Sequence, residues 1–420
     1  MVKIKLAPFF TKIIDILLAL FLILNCQSMY QNSDAVNYHI YEITLALIVI
    51  SIIIRYLQYP IDKMKLNHIA VFSLIYYILA IFVLIACVSK SDLLSYSARF
   101  LFAPIVLLYF VPICDLKNKF QVLIYFVIWT CIITAISLVF YIFGTNLGIM
   151  HSTGMFQYKW GLSHVVPSFY NLYFGNVQYV NGGFLNGLTY RNTAIFVEGP
   201  MYAAVLDLAL YLLYLLKKYF KHFRLYAIIL WLGIITSNST AAMVIGIIVT
   251  FLTFKNTLAF KRVKEMAVVP LFIVLLVIII DLINKKAGNF SQTSSFGIRF
   301  DDYISGFKAW LSSPIFGWGY NNLKGINNFR VNVANGGYSN SLFAILNGGG
   351  IVFGLLYLIP IIYSLHSRNK MQVELACVYM FLLVLILFYT SYINFFIWAL
   401  LLDKDIWLQL ISKESGIKFD

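Results

Sequence analysis

Four arginines stand in stretches of this 420-residue chain where basic side chains are otherwise scarce: Arg99, Arg191, Arg299 and Arg330. A guanidinium is a rigid fork of donors that meets phosphate bidentately. Two or three gathered on one surface would hold a diphosphate. Arg191 and Arg299 lead for that role, with Arg330 beside them, while Arg99 reads chiefly as a residue that pairs with a lipid headgroup or with another helix. Glu198 follows Arg191 by seven positions and precedes Gly199-Pro200. A carboxylate there suits a base that takes the proton of an attacking hydroxyl; its structural alternative is a salt bridge to Arg191. Asp301 and Asp302 come next, unless they only complement a helix dipole. His151 and His164 have no metal-ligand partner at suitable spacing. The five cysteines form no CxxC pair and read as buried hydrophobes, with a Cys26–Cys87 bridge as a minor alternative. We expect no metal and no other cofactor.

The composition says what must position these groups. The chain is 61% hydrophobic and only 11% charged. A soluble protein of this size could not cover that much apolar area with so few charges. We therefore expect an all-α integral membrane protein, a single polytopic domain over 1–420. A spanning helix needs about 20 apolar residues. Twelve runs qualify: 8–26, 41–58, 68–88, 97–114, 121–143, 200–216, 223–237, 239–256, 265–283, 340–364, 372–389 and 391–409. The first run lacks a cleavage site and should remain as a span. With the N-terminus inside, 21 of the 31 Lys and Arg fall on the inner side. Both termini are then cytoplasmic and the protein sits in a plasma (inner) membrane among its lipids. The net charge of +14 reflects this orientation rather than nucleic-acid binding, because no basic patch on a soluble module is visible.

Two outer links are long, 144–199 and 284–339, beyond the roughly 12–15 residues of an idle connection. Both are rich in Gly, Asn, Tyr and Trp, as in NVQYVNGGFLNGLTYR and FGWGYNNLKGINNFRVNVANGGYSN. Aromatic faces stack on sugar rings and the amides and phenols supply hydrogen bonds, so these loops suit a carbohydrate. In SSFGIRFDDYISGFKAWLSSP, Phe300, Ile304, Phe307 and Leu311 recur at helical spacing and Pro314 ends the run. This predicts an amphipathic helix on the outer surface or plugging a cavity, with Arg299, Asp302 and Tyr303 on one face. Gly350 and Gly354 form a GxxxG that predicts close helix packing. Asp15 lies near enough to the inner face to reach water. Asp207, nearer mid-span, reads as an interhelical hydrogen bond.

Four blocks together resemble the O-antigen polymerase and ligase superfamily, the Wzy-type enzymes of bacterial polysaccharide assembly. RNTAIFVEGPMYAAVL resembles the Arg-x(6)-Glu-Pro stretch, placing Arg191 and Glu198, with Gly199 inserted before Pro200. SNSTAAMVIGIIV resembles the small polar turn, with Thr240 where an arginine often stands. GIRFDDYISGFKAWLSSPIFGWGYNN resembles the Arg…Trp…Pro-x-x-Gly-x-Gly block, on Arg299, Trp310, Pro314, Gly317 and Gly319. YSNSLFAILNGGGIVFGLLYL opens the next span, with Tyr338 where ligases usually carry a histidine. The resemblance implies metal-independent polymerisation of undecaprenyl-diphosphate-linked oligosaccharide units outside the bacterial plasma membrane. A flippase and a chain-length regulator would be pathway partners. It casts Arg191, Arg299 and Glu198 as catalytic and Arg330, Asp302, Tyr303, Trp310, Tyr338 and Asn340 as diphosphate- or glycan-binding. A ligase moving glycan from its lipid carrier to another acceptor, and a non-enzymatic flippase or transporter, stay open as alternatives.

Overall fold

The structure is a computed structural model and describes residues 8–160, 162–175, 190–254, 295–331, 337–367, 369–403 and 406–407. Eleven of the twelve expected spans coincide with helical segments. They are α1 (Pro8–Leu24), α2 (Ile40–Gln58), α3 (Lys63–Cys87), the irregular stretch Lys90–Phe110, α4 (Gln121–Phe140), α5 (Gly199–Leu215), α6 (Phe223–Thr236), α7 (Thr240–Phe254), α9 (Ser341–Leu365), α10 (Lys370–Leu385) and α11 (Ile393–Leu402). The run 265–283 lies outside the described residues. Among the described residues, five helical segments are long and apolar enough to cross a membrane unaided: Ile40–Gln58, Lys63–Cys87, Lys90–Phe110, Gln121–Asn146 and Ser341–Leu365. The chain is a mostly helical, multi-pass membrane protein.

Every residue of α5 is buried, with α4, α6 and α7 packed around it. The helix ends sort into two groups. At one end, Arg55 pairs with Asp15 at 2.6 Å and Lys65 pairs with Asp403. At the other, the segments following α1, α4, α6, α8 (Ser295–Ser312) and α10 meet: Met29 N donates to Ile195 O at 2.8 Å, Asn192 N to Thr236 O at 3.0 Å, and Ser341 N to Ile386 O at 3.0 Å. This second, loop-bearing end carries all nine site candidates.

Asp15 does not reach water as expected. It is fully buried, held by Arg55 and by Ser51 Oγ at 2.8 Å. Asp207 is buried too, but neither of its oxygens has a hydrogen-bond partner among the described residues, so the expected interhelical bond is not made. Cys26 and Cys87 are free thiols, not a bridge.

The all-α expectation needs one correction. The first long loop builds a three-stranded antiparallel sheet, β1 (Gly154–Trp160), β2 (Leu162–Phe169) and β3 (Tyr173–Phe174). Phe156 and Tyr158 point inward while Met155, Gln157 and Lys159 point out, the period-two pattern of a half-buried strand. The hairpin closes with Trp160 opposite Leu162, which puts Trp160 at its tip.

The expected amphipathic helix forms as α8 (Ser295–Ser312). Its orientation is the reverse of the plug reading. Phe300, Ile304, Phe307 and Leu311 face away from the bundle, whereas Asp302, Ser305 and Ala309 are buried. The glycine cluster also differs from expectation. Helix α9 breaks at Gly349 and Gly350, the latter at φ 62°. The turn after α8 docks into that break: Ile351 N donates to Pro314 O at 2.8 Å and Trp318 N to Asn347 O at 2.7 Å. The loop thus satisfies backbone groups that a continuous helix would bond internally.

Candidate functional site

Arg191 begins a strap, Arg191–Val197, of seven consecutive buried residues. Polar backbone in such a place must be paired, and Asn192 does much of that. Its Nδ2 donates to Ser137 Oγ and to Thr236 Oγ1, both at 3.2 Å, and its Oδ1 accepts from Ala194 N at 3.0 Å. Thr193 Oγ1 donates to Phe174 O at 3.3 Å, tying the strap to the sheet. The Arg191 side chain is therefore aimed by fixed backbone. Among the described residues its Nε has no partner. Burial, helped by the like charge of Arg299, lowers its pKa to about 10, with Glu198 pulling the other way. Arg191, Arg299 and Glu198 thus share one electrostatic neighbourhood, although they come from three separate segments.

Gly199 explains the insertion before Pro200. A Cβ there would stand 2.9 Å from the Ser237 carbonyl oxygen and 3.3 Å from Arg191 Cδ. The small polar turn at 237–239 therefore abuts the start of α5, and only a hydrogen fits between that turn and the arginine.

Glu198 is not bonded to Arg191. It accepts from Trp160 Nε1 at 2.6 Å, so the hairpin tip rather than the arginine orients the carboxylate. The sequence reading missed this Trp160 contact; the alternation of FQYKW was the available signal. Replacing Trp160 by phenylalanine removes one hydrogen bond to a charged group, worth about 1.5–3 kcal/mol. If Glu198 serves the reaction, Trp160→Phe should lower the rate of glycan transfer about 10-fold or more. Steady-state rates at equal protein level check this; an unchanged rate would leave Trp160 a purely structural contact.

Helix α8 carries the remaining candidates inward. Arg299 Nη1 donates to Leu385 O at 3.3 Å. The Tyr303 hydroxyl donates to Val384 O, and its ring meets Phe343 edge-on at 5.8 Å. Asp302 is buried and clamps Arg330: Nε and Nη2 of the arginine reach Oδ1 at 3.1 and 2.6 Å. Ser339 N donates to the other carboxylate oxygen at 3.0 Å. Burial raises the Asp302 carboxyl pKa against the pull of Arg330. Arg330 also donates to Asn327 Oδ1 at 3.0 Å and to the Gly337 carbonyl. This ion pair is largely self-satisfied and fastens α8 to the segment leading into α9. Trp310 Nε1 donates to Pro314 O at 3.2 Å. Asn340 caps α9 by accepting from Phe343 N at 2.9 Å.

Tyr338 lies near Arg330, 6.0 Å from guanidinium to ring centre, and its buried hydroxyl has no partner among the described residues. Tyr389 lies within electrostatic reach of Tyr338 and also of Arg99, Tyr320 and Tyr41. Arg99 donates to the Tyr320 hydroxyl at 3.0 Å, stands 5.0 Å over the Tyr41 ring and lies within electrostatic reach of Asp92. Among the described residues, no group of three or more His, Cys, Asp or Glu is placed to hold a metal.

No curated protein matches the chain. Residues 225–359 match a family model described as O-antigen ligase. That segment includes α8, Arg299, Asp302, Arg330 and Tyr338, while Arg191 and Glu198 precede it. The match covers about a third of the chain and is in keeping with the resemblance to the O-antigen polymerase and ligase superfamily.

Proposed function

We propose that this protein polymerises oligosaccharide units carried on undecaprenyl diphosphate, at the extracytoplasmic side of a bacterial plasma membrane, by metal-independent glycosyl transfer. The observation that carries the reading is the buried Arg191, Nε unpartnered, sharing its surroundings with Arg299 and Glu198. A buried guanidinium whose pKa is lowered by a second one nearby suits an anion. A lipid-linked diphosphate supplies that anion, and it also leaves carrying developing negative charge. Donors already in place then stabilise the transition state more than the ground state. Glu198, half-buried and oriented by Trp160, takes the proton of the acceptor hydroxyl that forms the new glycosidic bond. Strap, sheet and α8 hold donor and acceptor side by side, so proximity contributes much of the rate.

The ligase reading keeps one specific support, the description of the matching family. Against it stands Tyr338 in the neighbourhood where ligases usually carry a histidine. The two differ in product: loss of a ligase leaves long polymer on the lipid carrier, loss of a polymerase leaves single units. Arg299→Ala should remove long-chain polymer while single lipid-linked units persist at normal protein level, and Arg191→Ala should do the same. Purified protein with a lipid-diphosphate oligosaccharide and a chelator should retain activity. Normal chain-length ladders from either arginine variant would overturn the proposal.

A further inference from the structure

The proposed transfer leaves Asp207 without a task. It lies eight residues into α5 from Gly199, about 12 Å along the helix axis, and is fully buried. Among the described residues neither carboxylate oxygen has a hydrogen-bond partner, and the group enters no ion pair. Hydrocarbon borders it. A Cβ placed on Gly246 of α7 would stand 3.4 Å from Asp207 Oδ1, 3.2 Å from Ile234 Cδ1 and 3.3 Å from Trp231 Cη2. That glycine brings the α7 backbone up to the carboxyl, with an isoleucine and a tryptophan edge beside it. Hydroxyls of the helices packed on α5 are spent on their own helices. Thr130 and Thr134 of α4 donate to Phe126 O and Thr130 O at 2.7 Å, and Thr250 of α7 donates to Gly246 O at 2.8 Å. On α5 itself Tyr202 meets Ser137 Oγ at 3.3 Å and Tyr211 donates to Met371 O at 3.1 Å. The titratable groups on the packed helices are Tyr125 and Cys131 on α4 and Arg224 and Tyr226 on α6; α7 has none. None of them acts electrostatically on Asp207.

We propose that Asp207 is a proton-binding site within the membrane, its carboxyl carried un-ionised between α5 and α7. An isolated ionised carboxylate inside a bilayer is costly, and one that finds no donor takes up a proton instead. The proton removes a charge that no neighbour compensates. It also turns an acceptor-only group into one with an O–H donor, and helix carbonyls keep a second lone pair that such a donor can use. A hard cation needs about six oxygen ligands, whereas a proton needs none beyond the carboxyl itself. The consequence is a fold whose stability is linked to proton uptake at one buried position: the unfolded chain releases a proton that the native bundle keeps. The site stands whether or not the protein transfers glycans, because it rests on the burial of Asp207 and on the donors around α5.

Infrared difference spectra of the full chain in phosphatidylcholine nanodiscs at neutral pH read the site directly. Parent minus Asp207→Asn should show the carbonyl band of an un-ionised carboxylic acid, present in the parent and lost in the variant. Asp207→Glu should shift that band rather than remove it, which guards against a misfolded asparagine variant. A carboxylate band in its place, from either comparison, overturns the proposal. Thermal unfolding gives an independent reading. At neutral pH Asp207→Asn, uncharged and of the same shape, should unfold at a midpoint no lower than the parent's. As the buffer is made alkaline, the parent midpoint should fall relative to that of Asp207→Asn. A marked loss of stability in Asp207→Asn at neutral pH would mean that the native carboxylate is charged and paired, and parallel pH dependence of the two proteins would mean that the fold keeps no proton there; either overturns the proposal.

Discussion

Replacing Arg191 by glutamine should abolish long-chain polymer and leave the unliganded protein at least as stable as the parent. The two effects have one cause. Arg191 is buried, its Nε lacks a partner among the described residues, and Arg299 lies within electrostatic reach of it. Its pKa is lowered to about 10, so the charged form is worse off in the fold than in the unfolded chain. The sign follows. Below about pH 10 the fold carries the full penalty of holding that charge, on the order of 3 kcal/mol. The penalty fades only as pH rises through about 10 towards the ordinary arginine range. Glutamine carries no charge and escapes it. Activity moves the other way, because removing a preorganised donor from developing negative charge costs about 100- to 1000-fold or more. Thermal unfolding in detergent at pH 7.5, with and without pyrophosphate, checks both halves. Pyrophosphate should raise the midpoint of the parent and leave that of Arg191→Gln unmoved. A variant much less stable than the parent without ligand would mean the arginine is a structural strut.

The second large effect is expected at Gly350. Alanine there should cost more than about 4 kcal/mol and leave little folded protein, whereas alanine at Gly354 should cost under about 1 kcal/mol. A Cβ at Gly350 would sit 2.1 Å from the Ile315 carbonyl oxygen, at a φ of 62° that side chains avoid. The obstacle is backbone of a docked loop and cannot swing away. At Gly354 the nearest atom is Leu346 Cδ2 at 3.2 Å, the far end of a flexible side chain. The pair separates two explanations of the GxxxG spacing. Close helix packing would penalise both substitutions alike; a helix break filled by the 314–318 loop penalises only the first. Membrane-fraction yield and unfolding midpoints of the two variants decide it.

Hydropathy made the helices legible, because a bilayer demands long apolar runs whatever the packing. It could not say which way an amphipathic helix turns. The stripe Phe300, Ile304, Phe307, Leu311 fixes one face of α8, but a membrane protein has two apolar destinations, its own interior and the lipid, and the stripe took the outward one. The same ambiguity hid the roles of Arg330 and Asp302. As isolated charges they read as ligand contacts; 28 residues apart in sequence, they bond each other. Arg191 and Glu198 were legible because they flank a helix entrance at short range. The Trp160 contact was not, since it depends on a hairpin reaching across 38 positions. The glycines of α9 announced that something approaches closely, without saying whether a helix or a loop.

The outward stripe of α8 has a practical outcome. On the opposite side of the same helix sit Arg299, Asp302 and Tyr303. The tilt and depth of that helix are therefore set partly by whatever covers Phe300, Ile304, Phe307 and Leu311, which in a membrane protein is acyl chain. Solubilisation in a short-tailed surfactant exchanges that covering for a thinner, more fluid one, while the helix bundle itself survives. Turnover measured in micelles would then report the chemistry of a loosened cradle, and reconstitution into lipid of native thickness belongs in any assay of the proposed activity.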